Sequence, residues 1–221
     1  MIIINPSDPS IKFLNKIIET AKRTISCEID KVMPEKYKTT LDLINSSHKS
    51  KTLLFLGHGF SEGLYGGCYV AEGKQVLLRK DKGEVLFKDK KVILFSCRSS
   101  EFIATFSETF EVAIGFGDIK TTKEDLTSKH DKKKYRDLNS IRIFRESLVN
   151  LFISSFVESN EMNYTFLEYY NSLKLRINKC ICKFSLSEDP NERLAGELMF
   201  ELKKEMILVG NSNALFNDSQ K

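Results

Sequence analysis

Three short apolar runs constrain this chain more than any other feature: Lys51-Thr-Leu-Leu-Phe-Leu-Gly57, Lys91-Val-Ile-Leu-Phe-Ser96 and Glu111-Val-Ala-Ile-Gly115. Each is too short for a helix and shows no polar alternation, which predicts strands buried on both faces. Such strands need helices over both faces, and helical patterns flank them. Ile11, Leu14, Ile17, Ile18 and Ala21 recur at helical spacing after the turn and cap residues Asn5-Pro-Ser-Asp-Pro-Ser10. Pro34 to Ser46 carries a second helical pattern, and Phe102 to Phe110 a third, with Ser99 or Ser100 as its N-cap. The order strand, helix, strand predicts parallel pairing through crossovers. Between the first two runs, β-prone pieces from Cys68 to Leu78 flank a hairpin turn at Glu72-Gly73, and a polar stretch runs on to Asp89.

Beyond residue 136 the chain reads as helix. Ile141, Phe144, Leu148, Leu151, Phe152 and Phe156 form one apolar stripe, and Tyr164 to Cys182 continues in kind. Asp189, Pro190 and Glu192 supply the cap, first position and capping-box partner of a last helix, after which Met206-Ile-Leu-Val-Gly210 returns as a strand. The expected architecture is α/β, a mostly parallel sheet flanked by helices with a helical C-terminal part, in a single domain over 1–221. Residues 1–49 are expected as a helical and strand lead-in. At 221 residues, 41% of them hydrophobic and 29% charged, the chain can bury a full core, and collagen-like, disordered and disulfide-scaffold classes are excluded.

No apolar stretch approaches the roughly eighteen residues that a membrane span needs. Met1-Ile-Ile-Ile-Asn5 is too short for a signal-peptide core, and five cysteines without framework spacing fit free thiols in a reducing compartment. A cytoplasmic protein is therefore expected, with no membrane partner. Seven basic and three acidic residues between Lys120 and Arg136 account for the whole net charge of +4. That segment, 120–136, is expected as a mobile basic surface loop, and so small a surplus does not argue for nucleic acid. His48, His58 and His130 form no zinc spacing with the cysteines, and Cys180-x-Cys182 reads as buried small residues; no metal or other cofactor is expected.

Two strands end in residues with chemical capability: the first runs into Gly57-His58-Gly59, the second into Ser96-Cys97-Arg98. If the strands are parallel neighbours, these ends share the sheet edge where open α/β folds bind ligands. Adjacent strands lie about 4.8 Å apart, so His58 and Cys97 can act as a nucleophile pair. Cys97 precedes a predicted helix whose dipole would favour the thiolate, and the Gly59 and Cys97 amides could form an oxyanion hole. His48 and His130 sit in polar stretches and read as solvated. A phosphate-binding turn at Gly57-His-Gly59 lacks the downstream glycine and the lysine of the known fingerprints.

Leu54-Phe-Leu-Gly-His-Gly-Phe-Ser-Glu-Gly63 followed by Val92-Ile-Leu-Phe-Ser-Cys-Arg-Ser-Ser100 resembles the caspase-like cysteine peptidases, and more closely the branch containing CHAT domains and separases. Ala113-Ile-Gly-Phe-Gly-Asp118, with the residues on to Leu126, resembles the segment after the third core strand of that branch, where an Asp helps form the S1 pocket. The stripe from Ile141 and the strand at Leu208-Val-Gly210 also resemble its long helix and closing strand. The resemblance implies a caspase-like fold and a cysteine endopeptidase with His58 and Cys97 as its catalytic dyad. It further implies Asp118 in S1, a basic residue before the scissile bond, a protein substrate and an activating partner protein. When bacterial, small peptidases of this kind often belong to defence or programmed-death modules. A basic specificity would also expose Lys132-Lys-Lys-Tyr-Arg136 to self-cleavage. Arg98, where the family carries an acidic or small residue, keeps a catalytically inactive interaction scaffold as the alternative.

Overall fold

The first apolar run expected as a strand is the third strand of the chain, because two strands precede it. A computed structural model describes residues 1–25, 27–69, 73–120 and 138–216. β1 (Ile2–Pro6) leads through a 3-10 turn (Pro9–Leu14) into α1 (Asn15–Thr24), and β2 (Glu28–Val32) precedes α2 (Tyr37–Ser46). After β3 (Thr52–Leu56) comes a small antiparallel sheet of β4 (Gly59–Phe60), β5 (Gly63–Tyr69) and β6 (Gly73–Arg79), then α3 (Lys80–Leu86). β7 (Lys91–Phe95), α4 (Ser99–Ala104) and β8 (Val112–Gly115) follow, and α5 (Asn139–Glu161), α6 (Phe166–Ser185), α7 (Pro190–Glu205) and β9 (Ile207–Gly210) complete the order.

The main sheet has six strands in the order β2-β1-β3-β7-β8-β9. All neighbours are parallel except β8 and β9. Strand alternation divides the apolar runs between two cores. Ile3, Leu54, Leu56, Ile93, Phe95, Val112 and Ile114 face one side, where Ile17 of α1, Phe152 of α5, Leu173 of α6 and Leu198 of α7 cover them. Ile2, Ile4, Leu53, Phe55, Val92, Leu94 and Ala113 face the other, under Ile44 of α2 and Phe102 and Ile103 of α4. Phe95 and Phe152 meet edge to face with ring centroids 4.8 Å apart, joining sheet to helix at the middle of the larger core.

Several expectations are corrected. Residues 1–49 hold helices and strands as expected, and they do more than lead in: β1 lies inside the sheet between β2 and β3, so the N-terminal segment builds the core. β2 carries Glu28, Asp30 and Lys31 because it is an edge strand with one neighbour, and polarity hid it. The polar stretch before Asp89 contains α3, whose Gly83 sits against the Phe102 ring. The third helical pattern starts earlier and stops at Ala104, and neither serine caps it. The Ser99 hydroxyl instead lies 2.6 Å from the Leu94 carbonyl and accepts the Phe116 amide at 2.9 Å, clasping β7 to β8. Cys180 is only half-buried and Cys182 is exposed, so they are not a buried pair. Asp189 does cap α7, accepting the Asn191 amide at 2.8 Å, with Pro190 in the first turn. The basic segment 120–136, apart from Lys120, lies outside the described residues, as do His130 and the expected self-cleavage stretch. Among the described residues no helix is long and apolar enough to cross a membrane.

Candidate active site

β3 and β7 pair with Leu56 opposite Phe95, so the chain leaves both strands at the same edge of the sheet. The pairing runs one step further, since the Gly57 amide donates to the Phe95 carbonyl at 3.3 Å. The next residue, His58, is held through its carbonyl, which accepts the Tyr65 amide of β5 at 3.0 Å. After β7 the backbone turns sharply: Ser96 N–H donates to the Leu94 carbonyl at 2.9 Å, and Arg98 takes the left-handed conformation at φ 54°. A non-glycine residue there costs about 1–2 kcal/mol. The Arg98 amide on the Gly117 carbonyl, at 3.0 Å, and its guanidinium on both Glu101 oxygens, at 2.8 and 2.7 Å, hold it in place. This turn carries Cys97 to the lip of the sheet.

His58 and Cys97 line one small cleft with Ile11, Leu14, Phe95 and Ile119 among its walls. Its volume is about 10 Å³, scarcely that of one water. The Cys97 thiol donates to the Ile119 carbonyl at 3.3 Å. Gly59 closes in from the other side: a Cβ there would lie 2.7 Å from Ser96 Oγ and 2.8 Å from the Cys97 carbonyl oxygen. Only glycine lets the strand after His58 approach Cys97 this closely, which brings both proposed oxyanion-hole residues to one place. α4 has six residues, so the dipole behind Cys97 is shorter than the sequence led one to expect.

Two further residues reach His58, neither of them recognised from the sequence. Ser10 Oγ lies 2.6 Å from His58 Nε2, and Asp8 Oδ2 lies 3.6 Å from the same nitrogen. Asp8 also caps the 3-10 turn, its Oδ1 accepting the Ser10 amide at 2.8 Å. The signal was present: Asp8 and Ser10 follow the isoleucine triplet as His58 follows β3, and a strand at Ile2–Pro6 places all three at one sheet edge.

Asp118 stands on an exposed rim beyond β8 and is absent from the cleft lining, which takes its neighbour Ile119 instead. Its amide donates to Glu205 Oε2 at 3.1 Å. Burial first, and the Glu205 carboxylate second, push the Asp118 carboxyl above its ordinary range, against the pull of Arg98. Of the other thiols, Cys27 and Cys180 are pushed up by burial. His48 is exposed and bonds to Ser50 at 2.7 Å, as its polar stretch implied. No group of three His, Cys, Asp or Glu among the described residues could hold a metal ion.

Neither a protein-family model nor a curated protein sequence matches this chain. The site itself consists of an imidazole and a thiol in one cleft, a glycine packed closely on the backbone carbonyl of Cys97, and a buried carboxylate behind the ring. An imidazole and a thiol brought this near to each other are the groups that thiol-nucleophile chemistry uses.

Proposed function

We propose that the chain is a caspase-like cysteine endopeptidase that cleaves a protein substrate. The observation that carries this is the convergence of His58 and Cys97, from the ends of adjacent parallel strands, on one cleft. In the proposed reaction His58 takes the thiol proton and Cys97 Sγ attacks the peptide carbonyl carbon. The Gly59 and Cys97 amides stabilise the resulting oxyanion. His58 then gives its proton to the leaving amine, the C–N bond breaks and a thioester remains. Water attacks the thioester with His58 as base, releasing the carboxylic acid and the thiol. The strand order and the antiparallel closing strand β9 also support the caspase-like reading. Support for a basic residue before the scissile bond is the proximity of the Glu205 carboxylate to that of Asp118, which stands one residue along the chain from the cleft-lining Ile119. An activating partner and a place in a bacterial defence module belong to the same proposal and rest on the sequence resemblance alone.

The test is turnover of a fluorogenic peptide library by wild type and by Cys97→Ala. Cleavage by wild type alone supports the peptidase; equal cleavage by both refutes it. One observation favours the alternative, an inactive scaffold: the thiol is engaged by the Ile119 backbone carbonyl. Iodoacetamide separates the two readings, because only an activated Cys97 outpaces the exposed Cys182 at neutral pH.

A further inference from the structure

The dyad does not account for the polar groups behind the histidine. The His58 and Asp8 side chains are only 9% and 3% exposed, and Asp8 Oδ2 is buried with no hydrogen-bond donor among the described residues. A buried carboxylate oxygen in that state is expensive unless it has a charge to meet. From these contacts we infer that Ser10 and Asp8 are positioning residues for His58, fixing its tautomer through the serine hydroxyl and stabilising its protonated form through the carboxylate. The inference deepens the peptidase reading and rests on it for its catalytic consequence.

Proton counting gives the direction. The Ser10 hydroxyl has one proton and two close neighbours, Asp8 Oδ1 at 2.7 Å and His58 Nε2 at 2.6 Å. An ionised Asp8 only accepts, so the hydroxyl proton points to Oδ1, and Nε2 must then carry a hydrogen and donate it to Ser10 Oγ. Were the hydroxyl turned to Nε2 instead, two oxygen lone pairs would face each other at 2.7 Å. The neutral ring therefore carries its proton on Nε2 and accepts the thiol proton at Nδ1. Once Nδ1 is protonated, the ring's positive charge lies beside Asp8 Oδ2, 3.6 Å from Nε2, in a site shielded from water where that attraction is weakly screened. The role is intelligible in the fold. β1 and β3 are parallel neighbours with Ile4 opposite Phe55, so the turn after β1 must rise beside the residue that ends β3. Asp8 is itself fixed by capping that turn, so the relay is anchored to backbone at its far end.

The test begins with the wild-type protein labelled with nitrogen-15 in histidine. The side-chain nitrogen spectrum of His58 is expected to show the Nε2–H form, and an Nδ1–H form overturns the inference outright, whether or not any peptide is cleaved. Ser10→Ala is expected to mix the tautomers, and Ser10→Thr, which keeps the hydroxyl, to restore the wild-type spectrum. An unchanged spectrum in folded Ser10→Ala also overturns the assignment. On a cleaved peptide, Ser10→Ala is expected to lower kcat roughly tenfold to a hundredfold, less than the 10²–10⁴ of the general base itself, with KM unchanged. Asp8→Asn keeps an oxygen for Ser10 but removes the charge, and is expected to slow alkylation of Cys97 several-fold; an unchanged rate refutes the carboxylate's role. If no peptide is cleaved while the spectra behave as expected, the peptidase reading fails and the relay stands.

Discussion

The Cys97 thiol and the Ile119 carbonyl are hydrogen-bonded at 3.3 Å, so the segment after β8 holds the sulfur. That segment is tied to α7 at three points. The Gly117 backbone lies against the Glu205 side chain, the Asp118 amide donates to Glu205 Oε2 at 3.1 Å, and Lys120 Nζ lies 3.3 Å from Glu201 Oε2. Ile119 also walls the small cleft that Cys97 and His58 share, so it stands beside the path of a substrate carbonyl to the half-buried Cys97. If residues 117–120 limit access to the thiol, the contacts with Glu205 and Glu201 oppose their displacement. Glu205→Ala is expected to raise the rate of Cys97 alkylation several-fold, and addition of Glu201→Ala to raise it further. Mass spectrometry of the labelled peptide measures both, and rates equal to wild type would show that the segment does not limit access.

Cys97→Ala and His58→Ala are each expected to abolish turnover while leaving thermal unfolding within a few degrees of wild type. If the two side chains act as a unit, as proposed, the double variant should be hardly slower than either single one. The same variants settle which thiol reacts. Burial holds the Cys27 and Cys180 thiols above their ordinary range, so at pH 7 they should label slowly in the folded protein. His58→Ala should bring Cys97 down to the rate of the exposed Cys182, and a Cys97 rate untouched by loss of His58 would separate the pair chemically.

The parts of this site that could be read from the chain share one property: each lies next to an unmistakable apolar run. His58 and Cys97 follow runs of five consecutive buried residues bounded by turn residues, a pattern that suits a strand buried on both faces. Asp8 and Ser10 escaped because Asn5-Pro-Ser-Asp-Pro-Ser10 is ordinary turn chemistry, and because the contact with His58 spans 48 residues that only the β1–β3 pairing brings together. β2 escaped for a different reason. An edge strand needs only one apolar face, and Glu28-Ile-Asp-Lys-Val32 offers too little hydrophobicity for its length to stand out. Glu205 lies at the end of α7, where a glutamate in a charged last turn looks like solvated surface until the segment after β8 is seen against it.

Gly59→Ala tests the close approach of β4 to the Cys97 turn. The added methyl would sit 2.7 Å from Ser96 Oγ, which can rotate away, and 2.8 Å from the Cys97 carbonyl oxygen, which cannot move without its backbone. Overpacking of this kind costs typically about 1–3 kcal/mol. Urea denaturation should show a loss in that range, and the folded fraction should also lose most of its activity, since the displaced backbone carries the proposed nucleophile. Activity retained at the wild-type level would mean that the Gly59 and Cys97 backbones need not approach each other for function.

Asp118 offers a check on both specificity and electrostatics. Burial and the Glu205 carboxylate raise its carboxyl in the folded state, so the folded protein favours the protonated form. For an acid raised on folding, the stabilising contribution is complete below the unfolded value of about 3.9 and disappears as pH rises through the folded value. Asp118→Asn should therefore stabilise the protein slightly at pH 7 and have no effect at pH 3. The gain should stay within about 0.5 kcal/mol, because water screens this exposed rim. Denaturant curves at the two pH values measure it, and a loss of stability at pH 7 would mean that Arg98 outweighs Glu205. On a peptide library Asp118→Ala should erase any preference for Arg or Lys before the scissile bond. If that preference survives Asp118→Ala and falls with Glu205→Ala, then Glu205 is the carboxylate that reads the substrate.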